Sequence, residues 1–267
     1  MTEMLAAASL LIHTADERGV HTLTLNQPGA FNVLSDAVLD LLLTSVDRIA
    51  SDTCARAVVI GATGQAFCAG HNLKEMAAHP DLAYYQMLFA KCTRFMLALQ
   101  NLPVPVIAKV QGLATAAGCQ LVAQCDLAVA SDQATFGVNG IDVGLFCATP
   151  SVALVRNMPV KQALEMLLTG CFINADEAKQ RGLVNRVVPA EALEAGVEAL
   201  LLSILSKPAS AVALGKALFY KQQGIGIEAA YQLASQAMAI NMMLPAAQEG
   251  VHAFIEKRKP QWPTAAL

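Results

Sequence analysis

The most informative stretch of the chain reads Gly64-Gln65-Ala66-Phe67-Cys68-Ala69-Gly70-His71-Asn72-Leu73-Lys74-Glu75-Met76 and follows the apolar run 57–60. The run has the composition of a strand buried on both faces. The glycines predict a turn that leaves unpaired backbone N–H groups at the start of the next helix, where the helix dipole favours negative charge. The stretch is therefore a candidate anion or oxyanion site, although a tight turn without a ligand fits it equally well.

Two other kinds of site fit these residues poorly. A dinucleotide fingerprint needs G-x-G-x-x-G, and Gly61, Gly64 and Gly70 have different intervals. A nucleophile elbow needs a glycine two residues before the nucleophile, and Ala66 stands there relative to Cys68. A nicotinamide-dependent enzyme is kept as an alternative only because of the turn Gly61-Ala62-Thr63-Gly64.

A second small-residue stretch reads Gly112-Leu113-Ala114-Thr115-Ala116-Ala117-Gly118-Cys119-Gln120. Small side chains at a strand end and a helix start let a ligand approach the backbone closely. A second amide aimed at the same point as the first would complete a two-donor oxyanion hole, which stabilises an ester or thioester enolate. The alternative is packing of a helix on a sheet, which also requires small residues.

The chain repeats a strand, turn and helix pattern. A hairpin is predicted for 10–14 and 20–25, a helix for 35–50 capped by Ser35, strands for 57–60, 104–110, 126–130 and 183–188, and a short helix for 116–124. Strands that alternate with helices favour an α/β architecture with crossover connections.

From about residue 190 the pattern changes to helices alone, predicted for 192–206, 210–222, 227–243 and 248–257. Their faces are too apolar to leave in water, so we expect them to pack on the main domain or on a neighbouring subunit. Residues 1–190 are thus predicted to form the core, and residues 191–267 a helical region for homo-oligomerisation.

Composition excludes several classes of protein. The 267 residues are 55% hydrophobic with a formal net charge of -3. A disordered chain lacks that much apolar surface, and no dense basic block provides the field for a nucleic-acid or anionic-membrane partner. No apolar run reaches the ~18 residues of a membrane span.

The seven cysteines are an odd number without a C-x-x-C pair, which is typical of a reducing compartment. The first nine residues have no basic region, so we expect neither secretion nor import and predict a cytoplasmic protein. No Cys and His cluster has metal-ligand spacing, and we expect no metal.

Five separated motifs closely resemble those of the enoyl-CoA hydratase/isomerase (crotonase) superfamily over nearly the whole chain. They lie at 25–28 with Asn32, at 66–76, at 112–120 followed by 125–128, at 175–188, and at 254–260. Within the superfamily, residues 112–125 and 143–147 are most similar to the subgroup of enoyl-CoA hydratase domain-containing protein 3.

The resemblance implies a crotonase-like spiral of ββα units, a homotrimer or dimer of trimers, and an acyl-CoA thioester as ligand, with CoA as part of the substrate and no separate cofactor. By motif position, the oxyanion donors are the backbone N–H groups of His71 and Ala117. The positions implied for CoA binding are Val33, Ala69, Asn72, Leu73, Lys74, Phe254 and Lys257. Lys257 and Lys259 are implied phosphate or ribose contacts supplied to a neighbouring subunit.

The sequence departs from the family at the two glutamates with which its hydratases hold water and shuttle protons. Gln120 and Gly140 stand at those positions. An amide does not exchange a proton near neutral pH, and glycine has no side chain. Each positioned acid or base contributes typically ~10²- to 10⁴-fold, so efficient hydration is not expected.

Three residues are candidate replacements. In an extended segment Asp142 would share the face of Gly140 and is the nearest carboxylate in sequence, although a capping role is the simpler interpretation. Glu75 is a weaker candidate, and Cys147 is a nucleophile only if its pKa is lowered. The His71 ring is either a pH-dependent element or a side chain that points away from its own amide.

The sequence leaves three functions open. The favoured one is an acyl-CoA enzyme of the hydratase/isomerase type that stabilises an enolate without efficient hydration. The second is a non-catalytic acyl-CoA-binding protein or oligomeric partner, and the third is the nicotinamide-dependent enzyme.

Overall fold

The structure is a computed structural model that describes residues 10–263. Its strands in that range are β1 (Leu11–Ala15), β2 (Val20–Leu25), β3 (Ala57–Ala62), β4 (Ala66–Cys68), β5 (Val106–Val110), β6 (Leu113–Thr115), β7 (Leu127–Ser131), β8 (Thr135–Gly137), β9 (Ile173–Asn174) and β10 (Arg186–Val188). One sheet has the order β1-β2-β3-β5-β7-β10 and the other β4-β6-β8-β9.

The α-helices in the same range are α1 (Asp36–Ala50), α2 (Leu73–Ala78), α3 (Leu82–Asn101), α4 (Ala117–Gln124), α5 (Ala148–Asn157), α6 (Val160–Thr169), α7 (Ala175–Gln180), α8 (Leu193–Leu205), α9 (Ala209–Gln222), α10 (Ile227–Met243) and α11 (Pro245–Ile255). Short 3-10 helices span Pro28–Ala30, Asn139–Val143 and Ala190–Ala192. Side-chain caps begin several of the α-helices: Ser35 Oγ accepts the N–H of Val38, and Asp81 accepts that of Tyr84.

The chain winds as a spiral in which each turn contributes one strand to each sheet. The strand pairs β3–β4, β5–β6 and β7–β8 are successive turns, and strands of successive turns pair in parallel in both sheets. β1 pairs antiparallel with β2, as the predicted hairpin requires. The predicted α/β class with crossover connections is confirmed, and the large side chains of Phe67, Phe95 and Phe136 are fully buried between the layers.

Two short strands were missed by the sequence analysis. β3 continues to Ala62, and the turn at Gly64 leads into β4 and not directly into a helix. In the same way β6 lies between Gly112 and α4. Three residues are too few to show a strand period, which explains the omission. No helix begins at the turn 61–64, so the alternative of a nicotinamide site there has lost its basis.

The helices after residue 190 follow the predicted spacing, but they differ from one another in what they pack against. α8 packs Leu193, Val197 and Leu201 against Val59 and Val129 of the six-stranded sheet. In contrast, α9 to α11 pack mainly on one another and leave large apolar side chains exposed, namely Phe219, Ile227, Tyr231, Met238, Ile240, Met243, Phe254 and Ile255.

A buried ion pair fixes α9 to the core. Lys216 Nζ lies 2.7 Å from Asp126 Oδ2 and donates to the carbonyl oxygens of Leu99 and Val104 at 2.9 Å each. Asp126 also accepts the Tyr220 hydroxyl at 2.7 Å and the Val106 N–H at 2.6 Å. Burial lowers the pKa of Lys216, and the charge of Asp126 opposes that shift.

No single helix among residues 10–263 is long and apolar enough to cross a membrane. The pair Ala190–Leu205 and Ala209–Gln222 passes that test only when joined, and it is bent by 103° at its break.

We expect Asp126→Ala to lower the free energy of unfolding by about 3–5 kcal/mol, because it leaves the Lys216 ammonium buried without a counter-charge. Denaturation in urea, followed by circular dichroism, measures this. Asp47→Ala is the matched control on an exposed helix face, where we expect a change within about 0.5 kcal/mol. Equal effects of the two substitutions would contradict the prediction.

Candidate active site

A cavity of about 340 Å³ opens where the second sheet meets α4 and α5. Three segments and two helix residues form its wall. They are Ala69, His71 and Leu73 after β4, Thr115, Ala116 and Ala117 at the start of α4, residues 139–140, 143 and 145–150, and Met76 and Phe89 from α2 and α3. This volume is in the range of small-molecule sites.

The cavity wall is almost free of titratable groups. Among its lining residues only His71 and Cys147 titrate, and none is Asp, Glu, Lys, Arg or Tyr. Burial raises the pKa of the Cys147 thiol, which therefore stays protonated near neutral pH. The wall suits an uncharged, apolar part of a ligand.

Leu34 fixes the direction of the His71 N–H, the first of the two backbone amides expected from the sequence. The Leu34 N–H donates to the Gly70 carbonyl oxygen at 2.7 Å. Because the carbonyl and the N–H of one trans peptide point in opposite directions, the His71 N–H points away from Leu34. Gly70 has a φ of +88°, and a β-carbon built on it would lie 3.1 Å from the Ala117 nitrogen. The Gly70–His71 peptide thus runs directly past the start of α4.

The second donor is the first amide of α4. Ala116 is the N-cap with φ 50° and ψ -121° and no side-chain cap hydrogen bond. Its carbonyl oxygen accepts the Gln120 N–H at 3.0 Å, so the next N–H, that of Ala117, points out of the helix end. Positive φ at an alanine costs about 1–3 kcal/mol and persists only where the surroundings enforce it.

The structure therefore brings together the two amides expected from the sequence, at the border of one cavity. One of them also lies at a helix N-terminus. The N-terminus of a helix favours negative charge beside it.

The His71 ring is largely buried. Nδ1 lies 3.3 Å from the Leu34 carbonyl oxygen, and the ring packs edge-on against Phe89 with centroids 5.5 Å apart. Nε2 is buried without a hydrogen-bond partner among the described residues. Burial lowers the pKa of His71, while the bond to Leu34 opposes the shift.

Of Gln120 and Gly140 only Gly140 lines the cavity, and the two positions differ in their surroundings. Gln120 is 5% exposed, and its Oε1 has no partner in the described part of the chain. Gly140 lines the cavity, and a β-carbon there would overlap the Leu145 carbonyl oxygen and lie 2.8 Å from Cys147 Sγ. Position 140 therefore has no room for a side chain.

The expectation that Asp142 shares the face of Gly140 is wrong. Residues 139–143 form a 3-10 helix, in which neighbours two apart point in different directions. Asp142 is exposed and its carboxylate lies against Gly170, outside the cavity wall. Glu75 also lies outside the wall and accepts the Asp36 N–H at 3.4 Å.

The residues implied for CoA binding are divided between two places. Ala69 and Leu73 line the cavity, and Val33 directly precedes Leu34, whose N–H donates to the Gly70 carbonyl oxygen. Asn72 caps α2 by accepting the N–H groups of Lys74 and Glu75, and Lys74 is exposed on that helix. Phe254 lies in the last turn of α11 and Lys257 two residues beyond the end of that helix, and both are outside the cavity wall.

The sequence analysis missed the far wall of the cavity. Asn139 accepts the Thr115 hydroxyl at 2.7 Å, and Phe146 and Thr149 complete that side, with Phe89 from α3 opposite. The only available signal was the apolar content of Val143-Gly144-Leu145-Phe146-Cys147, which has neither a helix nor a strand period. Within residues 10–263 no group of three or more His, Cys, Asp or Glu could hold a metal ion.

Comparison with known proteins identifies the family. The family model for enoyl-CoA hydratase/isomerase matches residues 15–265, and the chain belongs to that family. The chain is 47% identical over 252 residues to enoyl-CoA hydratase domain-containing protein 3, mitochondrial, of Mus musculus, a match that covers 94% of this chain and 84% of the relative. The resemblance to the superfamily and to this subgroup is thereby confirmed.

Solved structures agree with the predicted spiral. An enoyl-CoA hydratase of Mycobacterium smegmatis superposes with a TM-score of 0.94 at 60% identity, covering 95% of this chain and 98% of that one. Human enoyl-CoA hydratase domain-containing protein 3 superposes with a TM-score of 0.91 at 44% identity, covering 95% and 100%. The crotonase-like fold class is confirmed.

The prediction of a cytoplasmic protein is wrong, because it is contradicted by the names of the relatives. The mouse relative and other curated relatives are named as mitochondrial proteins. That prediction rests on the cysteine usage and on the composition of residues 1–9, and neither property specifies the compartment.

We expect Gly140→Ala to lower the free energy of unfolding by about 1–3 kcal/mol, because the added β-carbon overlaps Leu145 and crowds Cys147. Urea denaturation measures the change. Gly215→Ala in α9, where a β-carbon meets no atom within 4 Å, is the matched control and should stabilise by up to about 1 kcal/mol. An unchanged stability of Gly140→Ala would contradict the overlap.

Proposed function

We propose that the protein binds the thioester carbonyl of an acyl-CoA with the N–H groups of His71 and Ala117, and that these stabilise the negative charge of its enolate. The observation that carries the proposal is the placement of both amides at one cavity, with the Gly70 backbone beside the Ala117 nitrogen. Aimed donors in a water-poor site stabilise a developing oxyanion strongly because they need no reorganisation.

The regions proposed to hold the acyl chain and the CoA differ in polarity. The apolar wall receives the acyl chain, whereas Asn72 and Lys74 at the start of α2 lie on the side proposed for CoA. Phe254 is 85% exposed. In our proposal a homotrimer or dimer of trimers covers the apolar faces of α9 to α11 and brings Phe254 and Lys257 to a neighbouring CoA.

Hydration is a minor activity in this proposal. The cavity wall has no carboxylate, and the positions of the family's two glutamates hold Gln120 and Gly140. Water addition needs a base to activate water and an acid to protonate carbon, whereas enolate formation needs chiefly the two amides and one proton acceptor.

The lack of a carboxylate also favours a second candidate, a non-catalytic acyl-CoA-binding protein. Both candidates bind CoA thioesters, and only the first converts them. Mass spectrometry of a CoA-thioester panel after incubation with the protein separates the two: unchanged thioesters that nevertheless raise the melting temperature indicate binding alone.

Acetoacetyl-CoA tests the oxyanion site without turnover, because its enolate has its own ultraviolet band. We expect the protein to raise that band and Ala117→Pro to lower the enolate equilibrium of the bound probe by about tenfold to a hundredfold, the value of one hydrogen bond to a charged group. Proline is tolerated at the first position of a helix and removes the N–H, although its ring also occupies the place to which that hydrogen pointed.

Ile227→Pro is the matched control, since residue 227 is the first of α10 and its side chain is 76% exposed. We expect it to leave the enolate band at its wild-type level. A band that survives in Ala117→Pro would exclude the Ala117 amide as a donor, and the absence of a band in the wild-type protein would refute the proposed function.

Hydration of a short enoyl-CoA, followed by loss of the conjugated enoyl absorbance, gives a further test. With two acid–base groups missing, each worth ~10²- to 10⁴-fold, we expect a rate at least ~10⁴-fold below that of a family hydratase that has both glutamates. That hydratase, assayed in parallel, is the control. Comparable rates would show that another group activates the water.

A further inference from the structure

We infer that the His71 side chain is a positioning residue, whose ring holds the main chain that carries the His71 N–H. The inference rests on the proposed function, in which that N–H binds the thioester oxygen. It assigns the ring a role separate from its own amide and from any transfer of protons.

Leu34 contacts both parts of the Gly70–His71 unit. Its N–H donates to the Gly70 carbonyl oxygen at 2.7 Å, and its carbonyl oxygen lies 3.3 Å from His71 Nδ1. A carbonyl oxygen only accepts, so Nδ1 carries the hydrogen and Nε2 the lone pair. Leu34 thus holds both the Gly70–His71 peptide, whose N–H is the proposed donor, and the His71 ring.

The second contact of the ring is with α3. Phe89 meets the ring edge-on, at 70° between planes, and itself borders the cavity. Nε2 is buried, and the structure gives it no partner among residues 10–263. A buried nitrogen without a hydrogen bond costs free energy, so Nε2 does not stabilise the position of the ring. The ring is held by its Nδ1 hydrogen bond and by its packing on Phe89.

The ring acts as a neutral group. The helices around it carry Asp36, Asp40, Asp47 and Arg48 (α1), Lys74 and Glu75 (α2), and Lys91 and Arg94 (α3), and Lys91 pairs with Asp36 at 2.6 Å and with Asp40 at 2.9 Å. The pKa of His71 is lowered by burial, and the hydrogen bond that its ring donates to the Leu34 carbonyl oxygen is the only opposing cause. A neutral amide side chain with a donor at the position of Nδ1 should therefore replace the imidazole.

Two substitutions separate the ring nitrogens while keeping the backbone N–H. His71→Asn places an amide NH₂ where Nδ1 lies, and His71→Gln places one near Nε2. With acetoacetyl-CoA as probe, we expect His71→Asn to retain the enolate band. We expect the enolate band to fall about tenfold to a hundredfold in His71→Gln and His71→Leu, because the main chain that carries the His71 N–H is then displaced. His79→Asn, at an exposed position, is the matched control.

The outcomes separate this inference from the proposed function. No enolate band in the wild-type protein overturns both. A wild-type band that persists unchanged in His71→Gln and His71→Leu, or that falls as far in His71→Asn as in His71→Gln, overturns only the positioning role. If the variants do not fold, nitrogen NMR of the wild-type ring decides: an Nδ1–H tautomer near neutral pH is expected, and an Nε2–H tautomer overturns the inference.

Discussion

Direct contact between two main chains is the constraint on which the candidate site depends. A β-carbon on Gly118 would overlap the carbonyl oxygen of Cys68, and one on Gly70 would lie 2.8 Å from the Ala116 β-carbon. Without side chains at these points, successive turns of the spiral approach closely enough for a loop amide and a helix amide to border one cavity. The left-handed backbone of Ala116 is part of the same arrangement, since it turns β6 sharply into α4.

The chemistry of the cavity follows from what surrounds those amides. Charged residues form ion pairs elsewhere, as Asp36 does with Lys91 and Asp126 with Lys216, but the cavity wall itself is neutral. In such a wall the main-chain dipoles are the strongest fixed partial charges, and they favour an anion on the ligand over a charged side chain of the protein. The lowered pKa of His71 and the raised pKa of Cys147 both result from this low polarity.

The architecture and the turns that carry His71 and Ala117 follow from the sequence, because both depend on local patterns, whereas the donor role of the two amides stays a prediction. The buried strand before Gly64, the Ser35 cap and the glycine and alanine clusters depend only on neighbouring residues. The far wall could not be predicted in this way, since Phe89 reaches it through α3, and Val143 and Phe146 follow a 3-10 helix without an amphipathic period. The prediction for Asp142 was wrong for the same reason, because the direction of its side chain depends on a helix type that the sequence does not specify.

The packing around Gly140 also bears on how this branch of the family can evolve. The space that a side chain would need at that position is filled by the Leu145 carbonyl oxygen and the Cys147 sulfur, both supplied by the segment that leads into α5. A substitution of Gly140 alone by Asp or Glu therefore does not fit, because the neighbouring backbone must first move. A carboxylate at this position would require compensating changes in the segment 145–147.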